Sequence, residues 1–512
     1  MRRNFFMNEK QNDTIPTSYW IKDTNLPTFP SLSQDTSVDV GIVGGGITGI
    51  TTAYLLAKEG FKVALLEADE LVKGTTGHTT AKITAQHDVI YHELLQHVGK
   101  EKARLYYKSN AEALTFMKEL VEEKQIDCDF TEEDAFIYAN TDKGVENIEK
   151  EVEAYKELGI PGGYVDELPI DFSIKSGIVM EKQAQFHPLR YLSFLIDELK
   201  KMDVEIYEHT VANDVEEGEH PTIVTKEGSR VTCSSIISCS HFPFYDGKAL
   251  YFSRMYAERS YIVGVKTEKP VTEGMYLSAD EPKRSIRTAT VDGEPMLLIG
   301  GESHKTGQGG HTSDHFEALQ QFADEHFTIK QTMYQWGAQD LITLDKIPYI
   351  GRLTSNHDNI FVATGYRKWG MTNGTTAAIL LSNLIKGKKS LYEELYTPSR
   401  FLADPSIKHF LKENLNVAKE FVKGKVQAPE KHIEDLQNNE GDIVTYDNQR
   451  AGAYKNDEGN VHVVDTTCTH LGCEVEWNNG EKTWDCPCHG SRFSVTGEVL
   501  EGPADQPLKK LM

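Results

Sequence analysis

The sequence predicts an α/β protein: a nucleotide-binding body built on a parallel sheet, an α+β part set into it, and a small all-β module at the C-terminal end. Three observations predict this. Near the N-terminus an apolar strand runs into a glycine-rich turn and a helix, and near residue 360 a second strand, glycine turn and helix follow. The last 45 or so residues carry two short Cys/His loops separated by polar, turn-rich sequence. At 512 residues the chain is too long for one core, so several domains are expected.

The first element is residues 38–67, VDVGIVGGGITGITTAYLLAKEGFKVALLE. An apolar strand leads into Gly44, Gly46 and Gly49 in GxGxxG spacing, a helix runs to Lys58, and a second apolar strand ends at Glu67. This is a dinucleotide fingerprint in a Rossmann-like βαβ context. The glycines permit a tight turn and close approach of a pyrophosphate to the helix N-terminus, and the acid about 20 residues on accepts from a ribose hydroxyl. A membrane span is excluded by Asp39 and six glycines within the run.

Residues 86–125 and 144–158 have helical apolar spacing, and Pro161-Gly162-Gly163 breaks the pattern. In residues 184–199, AQFHPLRYLSFLIDEL, Pro188 opens a helix. Between 251 and 335 come short apolar strands, RSYIVGV and MLLIGG, then a helical stretch from about 313. Residues 358–387, DNIFVATGYRKWGMTNGTTAAILLSNLIKG, give the second strand, a turn with Gly365, Gly370 and Gly374, and a helix. This element and the preceding WGAQDLITLDKIPYIG resemble the C-terminal part of flavoproteins of the D-amino-acid oxidase and glycine oxidase superfamily. The resemblance spans roughly 36–400 and implies FAD, with a helix N-terminus facing the flavin pyrimidine, where its dipole favours the negative charge of reduced flavin. It divides the body into FAD-binding parts (about 36–90, 180–250 and 336–387) and substrate parts (about 90–180 and 251–335). Residues 1–35 are expected as an N-terminal extension and 388–425 as a linker with a helix from Ser406 to Val422.

Residues 426–512 form the last module. Residues 468–490, CTHLGCEVEWNNGEKTWDCPCHG, hold C-x-H and then C-x-x-H. Cys468, His470, Cys486 and His489 in this order are the ligand set of a Rieske-type [2Fe–2S] cluster. Two imidazoles replace thiolates on one iron, which raises the potential to about −150 to +300 mV. A zinc ribbon uses similar ligands, but six candidate ligands in two matching loops exceed one tetrahedral zinc. The segment resembles the high-potential Rieske proteins of respiratory and photosynthetic cytochrome complexes. That resemblance implies a disulfide between Cys473 and Cys488, a covering loop at Gly502-Pro503-Ala504, and a Ser491 hydroxyl on a cluster sulfide. The tyrosine usual two residues later is Phe493, so one potential-raising hydrogen bond is missing. The resemblance also implies histidine ligands that face solvent and meet an acceptor.

The chain carries 78 acidic and 54 basic residues, a formal charge of −24, which argues against nucleic-acid binding. Arg2-Arg3-Asn4-Phe5-Phe6 superficially resembles a twin-arginine signal, but MNEKQNDT follows with no apolar region, and Met7 is a candidate start. Cys128, Cys233 and Cys239 lack metal or disulfide spacing and are expected as reduced core residues. No transmembrane segment is expected, and the cytoplasm is the expected compartment.

Three positions bear on the flavin chemistry. His78 in GTTGHTTA matches the loop of dimethylglycine and sarcosine dehydrogenases that carries a histidine bonded to the flavin 8α carbon. Arg287 in RSIRTA falls where glycine-oxidase-like relatives pair an arginine with a substrate carboxylate, and Arg259 is a weaker competitor. Leu298 stands where oxygen-using sarcosine oxidases have a lysine, and Ala338 where they anchor flavin through cysteine. The resemblance therefore implies a dehydrogenase that oxidises a C–N bond of a small-molecule amine or amino acid and passes electrons through the cluster to a protein or quinone acceptor. A reductase running the other way, and a non-catalytic redox sensor, are the competing readings.

Overall fold

The computed structural model describes residues 16–171, 173–246, 249–268, 273–400, 406–426 and 431–512. The Arg2-Arg3 pair and Met7 lie outside them. Val40–Val43, Val63–Leu66 and Ile360–Thr364 are buried at every residue. A strand covered on both faces has no polar side, which is why these segments read as unbroken apolar runs. They belong to a six-stranded sheet in the order Tyr349–Arg352, Ile360–Thr364, Ser235–Ser238, Val40–Val43, Val63–Leu66, Glu205–Tyr207. Only the Tyr349–Arg352 pairing is antiparallel. The helices Ile47–Ala57 and Gly370–Ile385 meet on this sheet, close enough that a Cβ on Gly374 would lie 2.8 Å from Thr48 Oγ1.

The second layer is a nine-stranded sheet whose long strands Ile329–Thr343, Met255–Thr267 and Glu294–Lys305 lie side by side. The strand Ile329–Thr343 carries Trp336 to Thr343, expected in the FAD-binding part, across the substrate sheet. Lys82–Ile83 forms the opposite edge, paired with Ser176–Gln185. The helix expected from residue 86 begins at Tyr91, because Asp88 adopts a left-handed φ of 64° that a right-handed helix excludes.

Residues 18–35 are packed against the body rather than extended from it. Tyr19 and Trp20 are fully buried, with Trp20 Nε1 donating to Thr79 O at 2.8 Å and Tyr19 Oη to Thr290 O at 2.7 Å. The helix Ser406–Val426 is likewise held: Lys305 pairs with Glu413, and Val417 packs on the core of the C-terminal module. That module has two antiparallel sheets, three-stranded and four-stranded, around the buried Trp484 and Phe493. Its first hairpin turns through Asp447 and Asn448, both at positive φ, as a two-residue turn matched to strand twist requires. Among the described residues no helix is long and apolar enough to cross a membrane.

Candidate functional site: a dinucleotide cradle joined to a cysteine and histidine centre

Gly44 leaves the first strand at φ 113°, and a Cβ there would lie 2.4 Å from Cys239 O. At Gly49 a Cβ would lie 2.0 Å from Gly44 O, so the turn closes only on glycine. Glu67, at the end of the second strand, accepts from Gly45 N at 2.7 Å and Asp69 N at 3.1 Å. Burial raises its pKa against those amides. Gly365 turns at φ 79° out of Ile360–Thr364 into the helix that starts at Gly370. Thr76 Oγ1 accepts from Ile47 N at 3.1 Å, and neither the Ile47–Ala57 nor the Gly370–Ile385 helix is capped by the side chain of its own N-cap residue. Their first residues line one cavity of about 1370 Å3 that also reaches Glu67 and, at its far end, Gly502-Pro503-Ala504 of the C-terminal module. Helix N-termini on the cavity, an acid at the second strand and glycines that let the backbone approach fit a bound dinucleotide.

His78 closes the 3₁₀ turn Thr75–His78 on the wall of this cavity. Its Nδ1 donates to Gly74 O at 2.9 Å, which leaves Nε2 as the free ring nitrogen. Burial lowers its pKa, so the ring is held neutral. Ala338 also lines the cavity, whereas Leu298 is buried in the core.

Arg287, expected as a substrate anchor, is not among the residues that line the cavity. It is buried, donates to the carbonyls of Thr288, Thr80, Ala81 and Phe186, and lies over the Trp20 ring. The guanidinium serves the packing of residues 18–35 and the histidine loop, a use decided by chain segments far apart in sequence. Arg259 is committed as well, to Glu481 and Glu501 of the C-terminal module. Two cavity residues escaped the sequence reading. Asp340, half-buried beside Lys368, has its pKa raised by desolvation to about 6. Lys82 has its pKa lowered by burial to about 7. The signal for Lys82 was present as a lone cation opening the short strand after the histidine loop.

At the far end, Cys468 and Cys486 are buried and their sulfurs are hydrogen-bonded to each other. That contact is the largest cause lowering the Cys468 pKa to about 7, with backbone amides of His470 and Leu471 adding to it. Amides of Cys488 and His489 point at Cys486 in the same way. The Ser491 hydroxyl touches the Cys468 sulfur and accepts from Ala504 N at 3.0 Å. The rings of His470 and His489 stand 5.0 Å apart, and the Nδ1 atoms of both are buried without a partner. Two orphaned imidazole nitrogens facing two amide-cradled thiols fit a Rieske cluster. Cys473 and Cys488 are disulfide-bonded, tying the two loops. The sulfurs of Cys473, Cys486 and Cys488 also lie within 4.8 Å of one another, but the disulfide removes two of them as thiolate ligands.

The histidine edge is partly open to solvent, with His470 half-buried and His489 buried. His489 is 9% exposed, and the Phe252 ring of the body stands edge-on to His470 at 5.5 Å and to His489 at 5.4 Å. The loop is seated by Gln308 Nε2 donating to Pro487 O and Gln339 Nε2 to Gly490 O, each at 3.0 Å. A Cβ on Gly490 would lie 2.3 Å from Ala257 Cβ, so the loop meets the sheet backbone to side chain. Arg259 bridges to Glu481 and Glu501, and Arg492 to Glu501 at 2.6 Å and Asp485 at 3.1 Å. Burial raises the Glu481 pKa, but Arg259 and Arg492 win and hold it at about 2.

Comparison with known proteins agrees with both ends of this site. Residues 39–384 match the FAD dependent oxidoreductase family and residues 427–512 the Rieske [2Fe-2S] domain. The Rieske 2Fe-2S iron-sulfur protein YhfW of Bacillus subtilis (strain 168) is 51% identical over 496 residues, covering 97% of each chain. The gamma-glutamylputrescine oxidoreductase of Escherichia coli (strain K12) is 23% identical over 397 residues, 74% of this chain and 90% of its own. The cytochrome b6-f complex iron-sulfur subunit of Synechococcus sp. (strain JA-3-3Ab) is 50% identical over 46 residues, 9% of this chain and 27% of its own. In fold, the glycine oxidase from Geobacillus kaustophilus superposes with a TM-score of 0.61 at 18% identity, over 72% of this chain and 100% of that one. The chain therefore belongs to the FAD dependent oxidoreductase family, as an enzyme that holds FAD and, in a C-terminal Rieske domain, one [2Fe–2S] cluster.

Proposed function

We propose that the chain oxidises a C–N bond of an amine or amino acid and sends the electrons through the Rieske cluster to an external one-electron acceptor, in the cytoplasm. The substrate loses a hydride and a proton, and water hydrolyses the resulting imine to a carbonyl compound and an amine. FAD supplies the hydride acceptor and the cluster a one-electron carrier.

One observation carries the reading: a single cavity runs from the dinucleotide cradle to the covering loop of the cluster site. Residues of this chain then divide the work. Gly44, Gly46, Gly49 and Glu67 would hold the dinucleotide, and Gly365, Gly370 and Gly374 bring the second helix to its ring. His78, with Nε2 free, is the proposed covalent anchor. Cys468, His470, Cys486 and His489 are the proposed cluster ligands, and the acceptor is a protein or a quinone. Tethering the carrier beside the flavin keeps it at high effective concentration. The names of two similar proteins, an oxidoreductase of gamma-glutamylputrescine and a glycine oxidase, favour CH–NH chemistry. Leu298, in the place of the oxidase lysine, favours the cluster over oxygen as the outlet.

An anaerobic screen of amines and amino acids, followed by stopped-flow absorbance and EPR, tests the direction. Flavin bleaching before cluster reduction is expected. Cluster reduction by a donor protein, with the flavin following and no amine able to reduce either, would sink the proposal.

A further inference from the structure

We propose that Lys82 receives the carboxylate of the substrate, so that the site selects amino acids over amines that lack one. This rests on the function proposed above and names its substrate class.

Lys82 opens the short strand Lys82–Ile83 at the edge of the nine-stranded sheet. Its side chain reaches the strands Met275–Ser278 and Arg284–Val291, three and four places along the sheet order, where Nζ donates to Tyr276 O at 2.8 Å and to Ser285 Oγ at 2.7 Å. An ammonium has three N–H groups, so these neutral acceptors leave one unspent. Lys82, Leu277 and Ser285 all line the cavity. Ser285 faces Gly300 in the sheet register, two pairs along from Arg287 and Leu298. The ammonium therefore sits on the sheet beside the place where an anchoring arginine was expected.

Three other lysines of the cavity are paired with carboxylates. Lys283 pairs with Asp88 at 2.9 Å, Lys346 with Glu93 at 2.6 Å and Lys368 with Glu258 at 3.4 Å. Among the described residues no carboxylate lies within ion-pair distance of Lys82. Burial, then the neighbouring Arg287 charge, pull its pKa down to about 7. A desolvated cation held by neutral partners is short of an anion, and a ligand carboxylate supplies a charge-assisted hydrogen bond in a site poor in water. The Ser285 hydroxyl, already on Nζ, has its own proton free to donate to the same carboxylate.

The test uses the FAD-loaded full chain and needs no turnover. Acetate, propionate and benzoate are titrated against acetamide, propionamide and benzamide, with flavin absorbance and the thermal midpoint as readouts. Carboxylates are expected to perturb both and carboxamides neither. Lys82→Met should weaken carboxylate binding by about ten- to hundredfold, the loss of one hydrogen bond to a charged group, while Lys82→Arg retains most of it. Equal affinity of carboxylates for Lys82→Met and the unaltered protein, equal affinity for carboxamides, or no response to carboxylates in the unaltered protein would each overturn the proposal. If Lys82→Met takes up no FAD, Lys82→Arg and the carboxylate–carboxamide contrast still decide.

A second arm separates the two readings. Flavin reduction is compared within pairs: glycine with methylamine, sarcosine with dimethylamine, proline with pyrrolidine. Faster reduction by the acid of a pair supports Lys82. Equal rates count against it while leaving C–N oxidation intact, and no reduction by any compound removes the proposed function while the titration still judges the residue.

Discussion

At the scale of single residues, chemistry follows from what burial leaves unpaired. His470→Ala and Cys486→Ala each remove one side of the thiol and imidazole set, so both variants should lose iron and the Rieske EPR signal of the dithionite-reduced protein while keeping FAD. Persistence of that signal in either would reassign the ligands. For His78 the relevant fact is the tautomer: Nδ1 is committed to Gly74 O, and Nε2 carries the lone pair. Acid precipitation should therefore keep flavin with the unaltered protein and release it from His78→Ala. Yellow supernatant from the unaltered protein would exclude the covalent link while leaving a contact role.

Elements are held here by backbone approach. A methyl on Gly49 meets the carbonyl of Gly44 at 2.0 Å, whereas on Gly374 it meets the Thr48 hydroxyl at 2.8 Å. Backbone within a tight turn cannot yield, and a side-chain hydroxyl can rotate. Gly49→Ala is expected to purify colourless, and Gly374→Ala to stay yellow with a stability loss of about 1–3 kcal/mol, read from the thermal midpoint. The two cluster loops depend on a covalent tie in place of regular structure. The Cys473–Cys488 disulfide spans a sequence separation of 15, for which chain entropy gives about 3 kcal/mol. Replacing both with Ser should shorten the cluster lifetime in mild denaturant and leave FAD bound, and an unchanged lifetime would remove that role. The start of the helix Tyr91–Lys124 is also a tertiary matter. The Glu151 carboxylate, from another helix, accepts from the amides of Ile90, Tyr91 and His92 at 2.8–3.0 Å.

Across the whole molecule, the Rieske domain is docked with Phe252 packed against both histidines. Loosening that docking would open the histidine edge further to external partners. Arg259→Gln removes one partner of a buried charge cluster, a loss toward the lower end of about 3–5 kcal/mol, because Arg492 still faces both carboxylates. Ferricyanide should then oxidise the reduced cluster faster than in the unaltered protein, and an equal rate would show that the ion pairs do not hold the domain. The pH dependence has a fixed sign. Glu481 has its pKa depressed from 4.5 to about 2, so its contribution is complete above about pH 4.5 and drains away as pH falls toward 2. Thermal midpoints taken downward from about pH 6 should fall less steeply in Glu481→Gln, and parallel curves would contradict the pairing.

What the sequence determined by itself was local chemistry at fixed spacing. The GxGxxG turn with Glu67 after it, the strand, glycine turn and helix at Gly365 to Gly374, and the two Cys/His loops each lie within a few tens of residues, so ligand type, glycine and apolar run are legible along the chain. Tertiary structure alone decided how the modules meet and which charges are satisfied. Arg287 and Lys82 sit on strands four apart in the order of one sheet, and nothing in RSIRTA or TAKIT says that four backbone carbonyls will claim the guanidinium while the ammonium keeps a free donor toward the cavity. The packing of residues 18–35 and of Phe252 on the histidines is of the same kind. Their partners lie hundreds of residues away, and burial of a polar group depends on the packing around it, which spacing along a chain does not encode.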